Sequence, residues 1–186
     1  MTEPYKELIR LKCLSPDNRF GTYFFNQHIL LVERFALHLC GKLGADRDTV
    51  LTAVYFHDIA AITDFSSLAE HPRRGAEMAG DILARDGHDR GWIDSVKRCI
   101  ETHSVPLALD AGSPEQVCLS NADALSHVAN PLYWLYYAFN VRGFDYPAGR
   151  KWYGERVNSV WEKLIEPARE MGENHYRFAL DLLKER

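Results

Sequence analysis

The sequence predicts an all-α protein, folded as a single-domain helical bundle. Apolar residues recur at three- and four-residue steps over several long segments, and strand-like alternation is almost absent. The length of 186 residues suits one domain with one core, and no repeat or flexible linker divides it. We therefore expect one domain over residues 1–186, with a core that carries the polar motifs at about 23–130 and a helical extension at 131–186.

Five helices are expected before the extension. The first spans residues 23–43 and ends at Gly41 and Gly44, and the second spans about 47–61 behind a capping aspartate, Asp46 or Asp48. The third opens at Pro72, the fourth spans 89–103, and the fifth follows a loop at 104–114. The extension begins with an aromatic run, breaks around residues 143–149, and resumes as one or two helices interrupted near residue 167.

Composition and charge narrow the class of protein. The chain is 46% hydrophobic and 26% charged, as ordinary globular proteins are, and its net charge of −4 argues against a dedicated nucleic-acid binder. No apolar run reaches the about 20 residues that span a bilayer, and the N-terminus lacks a secretory signal. Four scattered cysteines suit a reducing compartment. We expect a soluble cytoplasmic protein with no membrane contact and no stable nucleic-acid partner. The sequence leaves open whether the chain forms a homo-oligomer.

The doublet His57-Asp58 is the sharpest local signal, because it interrupts an otherwise apolar helix, AVYFHDIAA. A buried ionised carboxylate costs several kcal/mol unless it is paired or bound to a metal. Adjacent residues on a helix lie about 100° apart, so both side chains can reach one ion.

Other helices carry further candidate ligands. His28 flanks the apolar face of the first helix, and His103 continues the apolar stripe of the fourth. Asp123 lies between two alanines, with His127 one turn away as a partner. Such imidazoles and carboxylates suit Mn²⁺, Fe²⁺, Co²⁺, Ni²⁺ or Zn²⁺, and Mg²⁺ less well. An ion with open positions acidifies water and polarises a phosphoryl group, as hydrolysis requires.

The ordered set His28, His57-Asp58 and Asp123 resembles the signature of the HD-domain metal-dependent phosphohydrolase superfamily. The surrounding stretches LTAVYFHDIA, EHPRRGAEMAGDIL, IETHS and NADALSHV agree with it, so the resemblance covers roughly residues 23–130. It implies a helical bundle of the HD-domain type with one ion bound by those four residues. His71 and His103 stand where some branches bind a second ion.

Two branches are disfavoured by what the chain lacks. It has no GYP motif after His103, which disfavours a cyclic-di-nucleotide phosphodiesterase. It also lacks the Glu-Asp pair that follows the doublet in guanosine-tetraphosphate hydrolases, since Ile59 to Ile62 stand there.

The resemblance implies hydrolysis of a phosphate ester or anhydride, with a nucleotide as the small phosphorylated substrate. One ion is expected, and a second would use His71 and His103. Candidate catalytic residues are Asp58, His71, His103, Arg73 and Arg74, the arginines because a guanidinium grips phosphate with a fork of donors. The alternatives are an HD-type di-iron oxygenase acting on a small organic substrate and a non-catalytic nucleotide-binding module. The loops at 60–71 and 104–114 and the tail after 131 are expected to form the cleft walls.

Overall fold

The structure, a computed structural model, describes residues 2–184 and contains no strand within them. The all-α prediction is confirmed. The α-helices in chain order are α1 (Glu3–Cys13), α2 (Leu30–Leu43), α3 (Arg47–Phe56), α4 (Ile59–Thr63), α5 (His71–Arg85), α6 (Arg90–Glu101), α7 (Pro114–Ala129), α8 (Pro131–Tyr136), α9 (Tyr146–Trp161) and α10 (Glu166–Leu183). Two π-helical turns (Phe25–Ile29 and Tyr137–Val141) and one 3₁₀ helix (Phe65–Glu70) lie between them.

Helix α7 runs through the centre of the bundle. It packs against α2, α3, α6, α9 and α10. Every residue from Val117 to Val128 is buried, including polar ones such as Asp123 and His127. A helix buried all round has no solvent face for polar side chains, so those it carries must find partners inside the protein.

Local sequence signals explain where the helices begin. Asp46, Asp89 and Asp145 each accept a hydrogen bond from a backbone N–H in the first turn of α3, α6 and α9. Ser113 and Gln116 form a reciprocal capping box at α7, followed by Pro114 in the first turn. The residue that ends α2 is Gly44, whose φ of 66° is costly for residues with a Cβ.

The predicted boundaries differ from the structure where polar site residues lie. The expected helix at 47–61 is interrupted, since α3 ends at Phe56 and Asp58 adopts φ −104° and ψ 7° before α4. The expected helix at 23–43 starts with a π-helical turn that contains His28. Helix α6 ends at Glu101, so His103 lies in the turn beyond it and not within a helix.

The ends of the chain add elements to the predicted core. Helix α1, which the sequence pattern did not predict, packs against α3 and α4, while α9 and α10 pack against α7. Gly149 lies inside α9, so the predicted break in the extension ends earlier, at Asp145. The buried apolar residues form one cluster from Tyr5 to Ala179. The predicted domain limits, residues 1 and 186, lie outside the described residues.

No helix in the described part of the chain combines the length and apolar character needed to cross a membrane.

Candidate metal centre

Four buried side chains converge on one point beside α7. The Nε2 atom of His28 lies 3.0 Å from His57 Nε2, 3.3 Å from Asp58 Oδ2 and 3.3 Å from Asp123 Oδ1. His57 Nε2 lies 3.2 Å from Asp58 Oδ2 and 3.8 Å from Asp123 Oδ1. Ligands bound to one ion at about 2.1 Å each stand roughly 3 Å apart. The structure therefore brings together the four residues predicted as metal ligands.

A second group forms on the other side of Asp58. Asp58 Oδ1 lies 3.3 Å from His71 Nε2 and 3.9 Å from His103 Nε2, and these two nitrogens are 3.0 Å apart. Because Oδ2 faces the first group and Oδ1 the second, the Asp58 carboxylate lies between them. The sets His28, His57 and Asp58, then Asp58, His71 and His103, and also His28, Asp123 and His127 each have the composition and spacing of a site that could hold a metal ion.

Interruptions of regular α-helical geometry position several of the candidate ligand side chains. The π-helical turn at Phe25–Ile29 carries His28, and such turns often occur at functional sites. The junction between α3 and α4 carries the doublet. Gly75 allows α5 to approach this junction closely, because a Cβ at that position would lie 3.2 Å from the carbonyl oxygen of His57.

The hydrogen bonds of three imidazoles assign their protons. In His57, His71 and His103, Nδ1 lies 2.6–2.7 Å from the backbone carbonyl oxygen three residues earlier. A carbonyl only accepts, so Nδ1 carries the hydrogen and Nε2 presents a lone pair in the neutral ring. This is the arrangement that orients histidine ligands in metal sites.

His28 reaches the same tautomer through a serine. Its Nδ1 lies 3.0 Å from Ser126 Oγ, and that hydroxyl donates to the backbone oxygen of Asp123 at 2.7 Å. The serine oxygen therefore accepts from His28 Nδ1, which leaves Nε2 free to bind. Neutral imidazoles would thus face one another with lone pairs, an arrangement that a cation between them satisfies.

The charge states of the first group, which consists of His28, His57, Asp58 and Asp123, also favour the binding of a cation. Burial opposes charge on Asp58 and Asp123, but the neighbouring imidazoles outweigh it and hold the pKa of both carboxyls well below the usual range. Burial lowers the pKa of His57, yet the Asp58 carboxylate beside it raises the net value to about 9. The cluster therefore attracts positive charge, which a proton supplies when no metal does.

His103 differs, since burial and the nearby His57 lower its pKa to about 4. Its ring is neutral at physiological pH, as a metal ligand must be.

His127 and Arg156 form a pair next to the first group. His127 Nε2 lies 3.7 Å from Asp123 Oδ1, and its ring stacks on Trp134 at 3.8 Å between centroids. Arg156 Nε donates to His127 Nδ1 at 2.8 Å, and its Nη2 lies 3.0 Å from Nε2. Burial and the guanidinium lower the pKa of His127 to about 3, so this ring is neutral. The sequence suggested His127 as a partner of Asp123, but it gave no sign of Arg156.

A cleft with a volume of about 250 Å³ opens beside both groups. Asp58, His71, His103 and Asp123 line it on the metal-binding side. Aromatic and cationic side chains of the extension also line it, among them Tyr137, Arg142, Trp152 and Arg156. The tail after residue 131 was expected to form a cleft wall, but no motif singled out these side chains.

Arg73 and Arg74, the arginines suggested by the sequence, lie elsewhere. Arg73 is exposed and forms ion pairs with Glu70 at 2.8 Å and Glu77 at 2.6 Å, while Arg74 is half-buried. Arg74 lies 3.4 Å from Asp64. Neither is among the described residues that line the cleft, whose guanidiniums are those of Arg142 and Arg156.

Comparisons with known proteins identify a family and a shared fold. The family profile of the HD domain matches residues 25–127, more than half of the chain. A similar solved structure is that of a predicted HD superfamily hydrolase from an uncultured Thermotogales bacterium, with a TM-score of 0.64 and 21% sequence identity. The alignment covers 97% of this chain and 88% of that one, which shows a shared fold. No curated protein gave a significant sequence match.

Proposed function

This chain belongs to the HD domain family, and we propose that it is a metal-dependent phosphohydrolase that uses two divalent ions to cleave a phosphate ester or anhydride of a nucleotide. The observation that carries the proposal is the position of Asp58. Its Oδ2 lies 3.2 Å from His57 Nε2, and its Oδ1 lies 3.3 Å from His71 Nε2. One carboxylate thus faces two separate groups of imidazole nitrogens, and both groups border one cleft.

The residues present fit two ions. His28, His57, Asp58 and Asp123 would hold the first, and Asp58, His71 and His103 would hold the second. Mixed nitrogen and oxygen ligands suit Mn²⁺, Fe²⁺, Co²⁺, Ni²⁺ or Zn²⁺ better than Mg²⁺. Bound ions of this kind acidify water and polarise a phosphoryl oxygen.

The protein's own side chains orient these groups and admit the substrate from one side. The hydrogen bonds on Nδ1 of each ligand histidine fix the ring so that Nε2 points at the site. His28 and His57 are fully buried, which excludes water behind the first group. The guanidiniums of Arg142 and Arg156 line the same cleft and would supply positive charge to phosphoryl oxygens bound there.

Hydrolysis of a phosphorylated substrate is supported by three features. The family resemblance implies it, and the similar solved structure is that of a predicted hydrolase. The cleft combines metal-ligating groups with two guanidiniums, which suits an anionic substrate in a protein whose overall net charge is −4. A nucleotide is the substrate class that the resemblance favours.

The second candidate is a di-iron oxygenase acting on a small organic substrate. The shared carboxylate and the four imidazole ligands favour it, since such a set can hold two irons. A non-catalytic nucleotide-binding module is the weaker alternative, because every predicted ligand is present and oriented.

Elemental analysis of protein purified without added metal, with a phosphate-release screen over nucleotides in Mn²⁺, Co²⁺, Ni²⁺ and Mg²⁺, tests the proposal. We expect two transition-metal ions per chain and phosphate release from at least one nucleotide. Asp58→Asn should lose both, whereas Asp81→Asn, a matched substitution at an exposed position on α5, should keep both. Two irons per chain with oxygen consumption and no phosphate release would favour the oxygenase instead.

A further inference from the structure

A second cavity continues from the cleft along α9. Its volume is about 380 Å³, and it shares Ser104, Trp152 and Arg156 with the first cavity. Val105, Pro106, Trp152 and Val160 form the apolar part of its wall, and Ser104, Glu155, Arg156, Ser159 and Lys163 form the polar part. Arg156 and Trp152 therefore lie at the junction between the metal-binding cleft and a second space that none of the proposed metal ligands lines.

Arg156 has no anionic partner in the part of the chain that the structure describes. No carboxylate oxygen of the described residues lies within ion-pair distance of its guanidinium, and His127 Nδ1 accepts a hydrogen bond from Arg156 Nε, so that ring is neutral. Burial lowers the pKa of this arginine, although the charges of Asp123 and Asp58 act in the opposite direction. A half-buried guanidinium without a counter-charge is costly unless an anion arrives from outside.

The nearest acidic groups would not neutralise the Arg156 guanidinium once metal ions are bound. Asp58 and Asp123 belong to the proposed metal groups, where bound ions would take up their negative charge. A phosphate group in the cleft would be a suitable counter-charge, since its oxygens match the planar fork of a guanidinium. Arg142, an exposed residue on the same wall, adds a second cation.

Trp152 is suited to contact an organic group at the junction. Its indole packs against Tyr137 and Phe144, with ring centroids 5.8 and 6.2 Å away, and these contacts fix its position. It is half-buried and lines both cavities. An indole at the junction of the two cavities offers a flat aromatic surface, which favours a planar ring system.

We propose that Arg156 holds the substrate phosphate at the metal-binding cleft and that the second cavity along α9 receives the organic group of the same substrate, a ring-bearing phosphate ester. The hydrolysis of such an ester rests on the proposed function, whereas the binding of phosphate by Arg156 does not. Both determinants lie on α9, outside the segment that matches the HD domain. The extension would thus select the substrate, while the shared HD segment supplies the metal ligands.

Titration of metal-loaded protein with inorganic phosphate tests the role of Arg156. We expect Arg156→Gln to raise the dissociation constant for phosphate about tenfold or more, with metal content and helicity unchanged. Arg177→Gln, at an exposed position on α10 that pairs with Glu173, is the matched control and should bind phosphate as the wild type does. An unchanged phosphate affinity in Arg156→Gln would overturn the assignment.

Loss of metal in Arg156→Gln would also overturn it, since the arginine would then act through His127 on the metal group. If that variant does not fold, Arg156→Lys decides the question. The lysine keeps the charge but not the fork, so weaker phosphate binding with full metal content supports the assignment. Phosphate affinity equal to that of the wild type contradicts it.

The second cavity is tested by filling it. Ser159 is exposed and lines this cavity, so Ser159→Trp should block the organic group without touching the metal cleft. We expect the KM for 4-nitrophenyl phosphate to rise about fivefold or more, with phosphate affinity unchanged. Asn174→Trp, on the exposed face of α10, should change neither. An unchanged KM in Ser159→Trp would overturn the placement of the organic group.

The two proposals fail in different ways. If the wild type binds phosphate through Arg156 but hydrolyses no ester with any metal, the proposed function is wrong and the Arg156 assignment stands. If the wild type hydrolyses esters and Arg156→Gln binds phosphate normally, only the assignment is wrong.

Discussion

The Nε2 atoms of His71 and His103 lie 3.0 Å apart, and in both rings Nδ1 hydrogen-bonds to a backbone carbonyl. In the neutral tautomers that these carbonyls require, neither Nε2 carries a hydrogen, so the two atoms cannot hydrogen-bond to each other. They present two lone pairs to the same point, beside Asp58 Oδ1. The second metal ion of the proposed function would account for this relationship.

The metal count should depend on this pair. We expect His71→Ala and His103→Ala each to lower the metal content from about two ions per chain to about one, because the first group keeps all four of its ligands. Elemental analysis of protein purified without added metal measures this directly. His38→Ala, which removes an exposed imidazole from α2, should retain the wild-type content. If both variants keep two ions, the second group is not a metal site.

Ser126 should affect metal affinity without touching the ion. Its oxygen accepts from His28 Nδ1 and fixes the ring orientation, so Ser126→Ala should weaken metal binding by about tenfold or more. Competition with a chromogenic chelator measures the affinity. Ser120→Ala is the matched control, because Ser120 is also fully buried on α7 but bonds to the backbone of Leu107 and Val117. Equal affinities in the two variants would contradict a role for Ser126.

The sequence alone points to the four candidate ligands because each is a polar residue in an apolar helical segment. Burial of a carboxylate or imidazole demands a partner, and that demand is visible without coordinates. The position of the doublet was harder to predict. The stretch AVYFHDIAA has no proline or glycine, so nothing in it signals that α3 ends at Phe56 and that Asp58 leaves helical geometry.

The cleft wall could not be predicted for a different reason. Arg156 is one of many arginines, and its significance comes from lying beside His127, 29 positions earlier in the chain. That contact depends on how α9 packs against α7, which periodicity does not determine. Arg73 and Arg74 stood next to a candidate ligand in the sequence, but on α5 they lie outside the cleft lining and pair with neighbouring carboxylates.

Gly172 should be essential to the packing of α10 against α7. A Cβ there would overlap Leu125 Cδ1 and lie 3.0 Å from Trp161 Cζ3. Overpacking costs about 1–3 kcal/mol, more than the about 1 kcal/mol that alanine gains over glycine in a helix. We expect Gly172→Ala to lower Tm. Gly41→Ala is the control, because no atom lies within 4 Å of its added Cβ, and it should raise Tm slightly. Thermal unfolding of both variants checks the opposite signs.

The four cysteines should differ in reactivity although all are buried. A hydrogen bond with Cys118, whose Sγ lies 3.6 Å away, lowers the pKa of Cys40, while burial raises the pKa of Cys13 and Cys99 to about 12. A lower pKa means more thiolate at pH 8, and the thiolate is the form that reacts. Brief treatment with iodoacetamide at pH 8, followed by peptide mass spectrometry, should therefore find Cys40 alkylated first. In denaturant all four should react at similar rates, and equal rates in the folded protein would refute the difference in pKa.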